Sequence, residues 1–176
     1  PYESLMDEYE SNLKEKKIDE LFDDLKKWLP DLIDKTLAKQ KNQKIIIPKG
    51  PFPIHLQKEL CHKVMELFGF DFNKGRFDTS VHPFCGGVPD DVRITTRFNE
   101  KEFLQSLFGI IHETGHARYE QNLPKKFQGQ LIGKARSMSI HESQSLFFEM
   151  QIGSHPKFIE QLVPIIIEKF GKQKSF

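Results

Sequence analysis

The sequence has 176 residues, enough for one domain with a buried core, and its 26 basic and 25 acidic residues leave a formal net charge of +1. This balance gives no electrostatic basis for binding nucleic acid or an anionic membrane surface. Two cysteines are too few for a disulfide scaffold, and no stretch approaches the roughly 18 apolar residues of a membrane span, so we expect a cytoplasmic protein.

Apolar residues at three- and four-residue steps predict amphipathic helices in the first 70 residues. One lies around Leu5–Leu13. The next covers Ile18–Leu37, with a kink expected at Pro30, which lacks a backbone donor. A third covers Ile54–Phe68, and Gly69 is a candidate for its C-terminal cap.

The next segment is rich in β-branched and aromatic residues. RFDTSVHPF (76–84) and DVRITTRF (91–98) predict two strands, and CGGVPD between them predicts the turn of a short hairpin. This is the one β element that we predict.

Helical signals return after the hairpin. Asn99 and Glu102 resemble a capping box, which predicts a helix that ends near Gln121. Two more helices are predicted near 139–152 and 156–170, after a loop rich in Lys, Gly and Gln. The expected fold class is therefore mainly α with a short β-hairpin.

The stretch IIHETGHARYEQNLP (110–124) contains the pattern H-E-x-x-H. On a helix, His112 and His116 are one turn apart, so both imidazoles project from one face and can bind one ion. Glu113 lies about 100° further round, where it can contact a water but not join the same ligand set. This arrangement is typical of zinc peptidases, with two ligands and a general base. A structural pair of helix-face histidines is the alternative.

A catalytic zinc ion takes three protein ligands and keeps one position open. The segment SIHESQSLFFEM (139–150) lies on a separate predicted helix, and its Glu142, 26 residues after His116, is the candidate third ligand. The alternative is that Glu142 only caps its helix, because Ser139 and Glu142 also fit the pattern S-x-x-E. His141 could compete as a ligand, although it points to a different side of the helix from Glu142.

Four motifs stand in the order and approximate spacing of the carboxypeptidase Taq family of metallocarboxypeptidases: HPF (82–84), DVRIT (91–95), HETGH (112–116) and HESQ (141–144). The flanking segments PYESLMDEYE and HARYEQNLP also resemble that family. The resemblance therefore covers nearly the whole chain, and four ordered motifs are much more specific than one.

The resemblance implies His112, His116 and Glu142 as metal ligands and Glu113 as the general base. It implies a mainly helical body with a long substrate groove and a small β element near the metal, in agreement with the predicted hairpin. The implied cofactor is Zn²⁺, with Co²⁺ as a substitute. Members of the family are commonly homodimers, and the resemblance implies removal of single residues from peptide C-termini with broad specificity.

The resemblance also indicates which residues meet the substrate. It places the HPF and D-x-R-x-T segments in the cleft beside the metal, where His82 would shape the cleft or contact the substrate. Arg93, Thr95 and Arg97 occupy alternate positions of a predicted strand, so their side chains share one face. We predict these four as substrate-binding residues. For the arginines, plain solvent-facing strand residues are the alternative.

Two later motifs of the family, I-R-x-x-A-D and G-x-x-Q-D-x-H-W, have no counterpart in residues 1–176. The family implies that the arginine of the first holds the terminal carboxylate of the substrate. We therefore expect residues 1–176 to be a single segment of the catalytic domain, truncated at both ends relative to the family, with impaired turnover. The rival functions are another glutamate-liganded zinc peptidase, such as an aminopeptidase, and a non-catalytic, zinc-stabilised helical interaction module.

Overall fold

A computed structural model describes residues 2–176, and their contacts divide the chain into two compact units, up to Ile47 and from Pro48 onward. The first unit contains helices α1 (Tyr2–Tyr9) and α2 (Glu15–Gln40). Both helices were predicted, and α2 continues through Pro30 as a single helical span. No helix among residues 2–176 combines the length and the apolar character needed to cross a membrane.

The second unit contains four further helices. Their bounds are α3 (Ile54–Leu67), α4 (Leu104–Gln121), α5 (Met138–Leu146) and α6 (Pro156–Phe170). A π-helical turn, Phe147–Gly153, continues directly from α5. As predicted, α3 ends at a glycine: Gly69 has a φ of +78°, which favours glycine, and its N–H donates to the Glu66 carbonyl over 2.9 Å.

Branched aliphatic side chains from α3, α4 and α6, with phenylalanines that lie just before α3 and α4, form the first of two cores in this unit. Its buried members are Phe52, Leu60, Val64, Phe103, Leu107, Ile111, Leu162 and Ile166. Rings meet there in tilted and edge-on pairs, such as Phe52 and Phe103 at 4.8 Å between centroids. These contacts hold the helix with the two motif histidines, α4, against its neighbours.

The β element is a three-stranded sheet rather than a two-stranded hairpin. Strands β1 (Gly75–Thr79), β2 (Phe84–Val88) and β3 (Asp91–Thr96) are ordered β1-β3-β2. An antiparallel hairpin is present, but its strands are β2 and β3. The strand predicted over 76–84 falls mainly in β1, which pairs with β3 in parallel, so the predicted pairing was wrong. The predicted turn began too early, because Cys85–Val88 belongs to β2.

Glycine explains why a turn-like sequence forms a strand here. Gly87 has a φ of +119°, and a Cβ at that position would lie 2.1 Å from the Asp91 carbonyl oxygen. Only glycine allows this close approach at the end of the hairpin. The turn is correspondingly tight and is formed by Pro89 and Asp90.

The sheet packs on α4 through the second hydrophobic core of this unit. Val92 and Ile94 of β3 are fully buried with Ile110 and Ala117 of α4. The sheet, α3, α5 and the π-helical turn surround α4 on several sides, so the helix with the H-E-x-x-H pattern is the central element of the second unit. A central, packed helix is a rigid support for a site.

Candidate metal centre

The two motif histidines lie one turn apart on α4, with ring centroids separated by 5.0 Å. His116 is 9 % exposed, and the neighbouring Ile110, Ile111 and Thr114 are fully buried. The predicted amphipathic helix thus presents both imidazoles from one face and buries the residues behind them.

Glu142 approaches the histidines from α5. Its carboxylate oxygens lie 3.3 Å from His116 Nε2 and 3.8 Å from His112 Nε2. One ligand atom from each of the three residues lies within 4.8 Å of the others. Tetrahedral zinc with bonds of about 2.1 Å places its ligands about 3.4 Å apart, so small side-chain rotations bring this set onto one ion. The residues therefore fit a divalent metal.

The capping role considered for Glu142 belongs to another residue. The N-cap of α5 is Ser137, whose hydroxyl accepts from the Ile140 N–H over 3.1 Å. The pattern of Ser139 and Glu142 is therefore not used as the capping box. This leaves the carboxylate of Glu142 directed at the histidines.

Glu113 is 7 % exposed and belongs to no ligand triad among the described residues. Burial raises the pKa of its carboxyl above the ordinary value; His112 opposes this rise, and the carboxylates of Glu142 and Glu149 add to it. A buried carboxylate with a raised pKa beside two imidazoles is suited to accept a proton from water.

His116 is held in its neutral form. Burial, followed by the neighbouring His141 and His112, lowers its pKa to about 4. A neutral imidazole keeps a lone pair for a metal ion. His116 is therefore available as a ligand at neutral pH.

The structure also places three side chains behind the histidines that the sequence analysis did not assign to the site. His112 Nδ1 lies 2.8 Å from a Glu149 carboxylate oxygen. His116 Nδ1 lies 2.6 Å from His141 Nδ1, and His141 Nε2 lies 2.8 Å from Glu120. His141 is thus outside the ligand set and contacts a ligand.

The residues predicted to bind substrate lie on or beside the sheet. Arg93 is exposed, and its guanidinium donates to the Asp91 carboxylate over 2.8 Å. The alternate residues Val92 and Ile94 pack toward α4, so the Arg93 side chain lies on the opposite face of β3. Arg97 follows β3 and is exposed.

Thr95 has a structural role beside its predicted one. Its hydroxyl donates to the His82 carbonyl and accepts from the Phe84 N–H, both over 3.2 Å. It therefore fastens the HPF segment to β3, while the His82 side chain remains exposed. Substrate binding by these residues stays a prediction.

Cys85 lies on β2, near the carboxylates of Glu113 and Glu120. Burial is the main cause that raises the pKa of its thiol to about 12, and the carboxylates of Glu113 and Glu120 raise it further. It is a free cysteine and is not part of the His–His–Glu group. A thiol that stays protonated is a poor nucleophile.

The family model for carboxypeptidase Taq (M32) metallopeptidases matches residues 1–176. The chain belongs to this family. Carboxypeptidase 1 of Bacillus subtilis is 41 % identical over 90 % of the chain and 32 % of its own length. Thermostable carboxypeptidase 1 of Thermus thermophilus is 38 % identical over 97 % of the chain and 34 % of its own length.

A solved structure of this family has the same fold. Trypanosoma cruzi metallocarboxypeptidase 1 superposes with a TM-score of 0.95 at 50 % identity, over the whole of this chain and 37 % of the other. The chain therefore spans about a third of the length of the relatives that it matches. Membership of a metallopeptidase family implies a divalent metal, and the His–His–Glu group fits one.

Proposed function

We propose that this chain provides the metal ligands and the general base of a metallocarboxypeptidase, which releases amino acids from the C-termini of peptides. The observation that carries the proposal is that the two histidines of α4 belong to a ligand group and the glutamate between them does not. The Nε2 atoms of His112 and His116 converge with Glu142, and the intervening Glu113 stays outside that group. The carboxypeptidase names of the relatives support the direction of cleavage.

We propose zinc as the native ion. Two imidazoles and one carboxylate match the ligand set of catalytic zinc, which keeps a fourth position open. When bound, the ion acts as a Lewis acid that acidifies water and polarises the scissile carbonyl. Co²⁺ accepts the same ligands and is the expected substitute.

Glu113 takes the proton of the attacking water and returns it to the leaving amine. Both transfers need a carboxyl group that is deprotonated before attack and protonated after it. The burial of Glu113 serves this role in two ways. It raises the pKa of the carboxyl group, which makes the carboxylate a stronger base, and it limits the water that competes for the proton. Glu113 acts as general base and then as general acid.

The substrate side of the proposal rests on His82, Arg93, Thr95 and Arg97. Capture of a terminal carboxylate requires a cation, and an arginine can bind it with two parallel hydrogen bonds. Nε and Nη2 of Arg93 already donate to the Asp91 carboxylate, so that edge of the guanidinium binds a substrate carboxylate only by giving up this partner. Arg97 is the stronger candidate of the two.

One set of peptides tests the direction of cleavage. The zinc-loaded protein is incubated with a peptide that has both ends free, with its C-terminally amidated form, and with its N-acetylated form, and products are followed by mass spectrometry. We expect C-terminal trimming of the free and acetylated peptides, loss of trimming on amidation, and inhibition by a chelator. Trimming from the N-terminus would indicate an aminopeptidase. Because impaired turnover is expected of residues 1–176, the C-terminal trimming should be slow. Zinc binding without any trimming, both in this chain and in the protein extended to the length of its relatives, would indicate a non-catalytic, zinc-stabilised module.

A further inference from the structure

The two ligand histidines share one orientation. In both, Nε2 is the nitrogen that faces Glu142, at 3.8 Å for His112 and 3.3 Å for His116. In both, Nδ1 points away from Glu142 to a hydrogen-bonding partner. A neutral imidazole that offers the lone pair of Nε2 to a metal must hold its proton on Nδ1. Each Nδ1–H therefore needs an acceptor.

For His112 the acceptor is a carboxylate. Nδ1–H donates to Glu149 over 2.8 Å, and the Glu149 side chain is 32 % exposed. Glu149 lies in the π-helical turn that follows α5, where the Ser154 N–H donates to the Glu149 carbonyl five residues earlier. Single π-helical turns occur often at functional sites because they redirect side chains.

For His116 the acceptor is a second imidazole. Nδ1–H donates to His141 Nδ1 over 2.6 Å, which leaves the His141 proton on Nε2, and this proton is donated to Glu120 over 2.8 Å. The side chains of His141 and Glu120 are only 13 % and 19 % exposed. The direction of every hydrogen bond is therefore fixed along the series His116, His141, Glu120.

We propose that Glu149, and His141 together with Glu120, are positioning residues that hold the two ligand imidazoles with Nε2 toward the metal. The inference rests on the proposed metal centre. It assigns a different device to each histidine: a direct carboxylate for His112, and an imidazole–carboxylate pair for His116. Outer partners of this kind fix the tautomer and ring orientation of a ligand and raise its basicity.

Zinc affinity tests the assignment, measured by competition with a chromophoric chelator on the purified chain. We expect Glu149→Ala and His141→Phe each to weaken zinc binding by about 10–100-fold. Glu149→Gln and Glu120→Gln retain an oxygen acceptor, so each should bind more tightly than the matching alanine variant. Glu160→Ala, which removes an exposed carboxylate on α6, is the control and should match wild type.

A double-variant cycle tests whether Glu120 acts through His141. Glu120→Ala should weaken zinc binding in the wild-type background and have no further effect when His141 is already Phe. If Glu120→Ala lowered zinc affinity equally in both backgrounds, the proposal that Glu120 acts through His141 would be overturned. Affinity for Glu149→Ala equal to that of Glu160→Ala would overturn the role of Glu149. Equal losses in Glu149→Gln and Glu149→Ala would show that packing, rather than the hydrogen bond, is what matters.

Proton exchange supplies a readout that general destabilisation does not imitate. In the zinc-loaded protein with ¹⁵N-labelled histidine, Glu149→Ala should speed the exchange of the His112 Nδ1 proton and leave that of His116 unchanged. His141→Phe should do the reverse. Acceleration of both protons in both variants would contradict the inference. Absence of zinc binding in the wild type, in contrast, would refute the proposed metal centre itself.

Discussion

Gly115 of α4 lies directly against the backbone of Ser145 on α5: a Cβ atom added to Gly115 would be 2.6 Å from Ser145 Cα. It would also be 2.7 Å from the Gln144 carbonyl oxygen. Both are backbone atoms, which cannot move without moving the helix. The residue before His116 therefore sets the distance at which α5 presents Glu142 to the histidines.

We expect Gly115→Ala to push the two helices apart and weaken both stability and metal binding. Overpacking costs about 1–3 kcal/mol, while the gain in helix propensity returns only about 1 kcal/mol. Gly109→Ala on the same helix is the matched control, because its Cβ would meet only the Thr96 hydroxyl, at 3.2 Å. Chemical denaturation and zinc competition are the measurements. Equal stability and equal zinc affinity of the two variants would show that the contact at Gly115 does not determine the position of Glu142.

Glu113→Gln separates the general base from the ligands. Gln has nearly the same shape but cannot accept a proton, so zinc should remain bound while peptide hydrolysis falls by about 10²–10⁴-fold. Metal content and the rate of C-terminal trimming are measured on the same preparation of the protein extended to the length of its relatives, because impaired turnover is expected of residues 1–176. Loss of zinc from this variant would show that Glu113 is a ligand or a structural group and would refute the mechanism.

Ser137→Ala removes the side-chain cap of α5 and should lower the free energy of unfolding by about 1 kcal/mol. The hydroxyl accepts from the Ile140 N–H, which otherwise lacks a partner in the first turn. Asp is an equally good cap, so Ser137→Asp should retain stability, as measured by thermal unfolding. A stable Ser137→Ala variant beside an unstable Ser137→Asp variant would contradict the assigned cap.

Both thiols should resist alkylation at neutral pH. Burial raises the pKa of Cys61 to about 12, and burial with nearby carboxylates does the same for Cys85. At pH 8 only roughly one thiol in 10⁴ is then ionised, against a large fraction in the unfolded chain. In chelator-treated protein, iodoacetamide should therefore react slowly until urea is added. Fast labelling of Cys85 in the folded protein would contradict the raised pKa.

The same shifts predict how stability depends on pH. A thiol whose pKa is raised in the folded state stabilises the fold fully below the unfolded pKa of about 8.5, and this contribution is lost as pH rises from there toward the folded value. The free energy of unfolding should therefore decline above about pH 9. A stability that rises between pH 9 and pH 11 would contradict the shifts of Cys61 and Cys85.

The shared face of the histidine pair could be predicted because it follows from a local rule, whereas Glu142 on α5 was predicted from the ligand count of zinc and from the family resemblance. The spacing of four positions from His112 to His116 fixes a shared helix face, whatever the helix packs against. The same rule extends to Glu120, four residues further on, which we did not use. Glu149 is different. Its position depends on a π-helical turn, for which the sequence gives no periodic signal.

The sheet shows the limit of pattern reasoning in the same way. The alternating residues of β3 and the turn at Pro89 and Asp90 follow from local sequence, but most of β2 was assigned to the turn. The parallel pairing of β1 with β3 is a long-range contact. No local rule specifies which edge a strand joins. The glycines of CGGV were assigned to the turn. Gly87 is instead a strand residue, and it must be glycine because its backbone lies against the Asp91 carbonyl.

Metal stoichiometry of the purified chain tests the central claim most directly. Elemental analysis should find one divalent ion per wild-type chain, and a large loss in His116→Ala and in Glu142→Ala, because each removes one of three ligands. His55→Ala, which removes an exposed histidine of α3, is the control and should keep the ion. Equal metal content in His116→Ala, Glu142→Ala and the wild type would contradict the assigned metal centre.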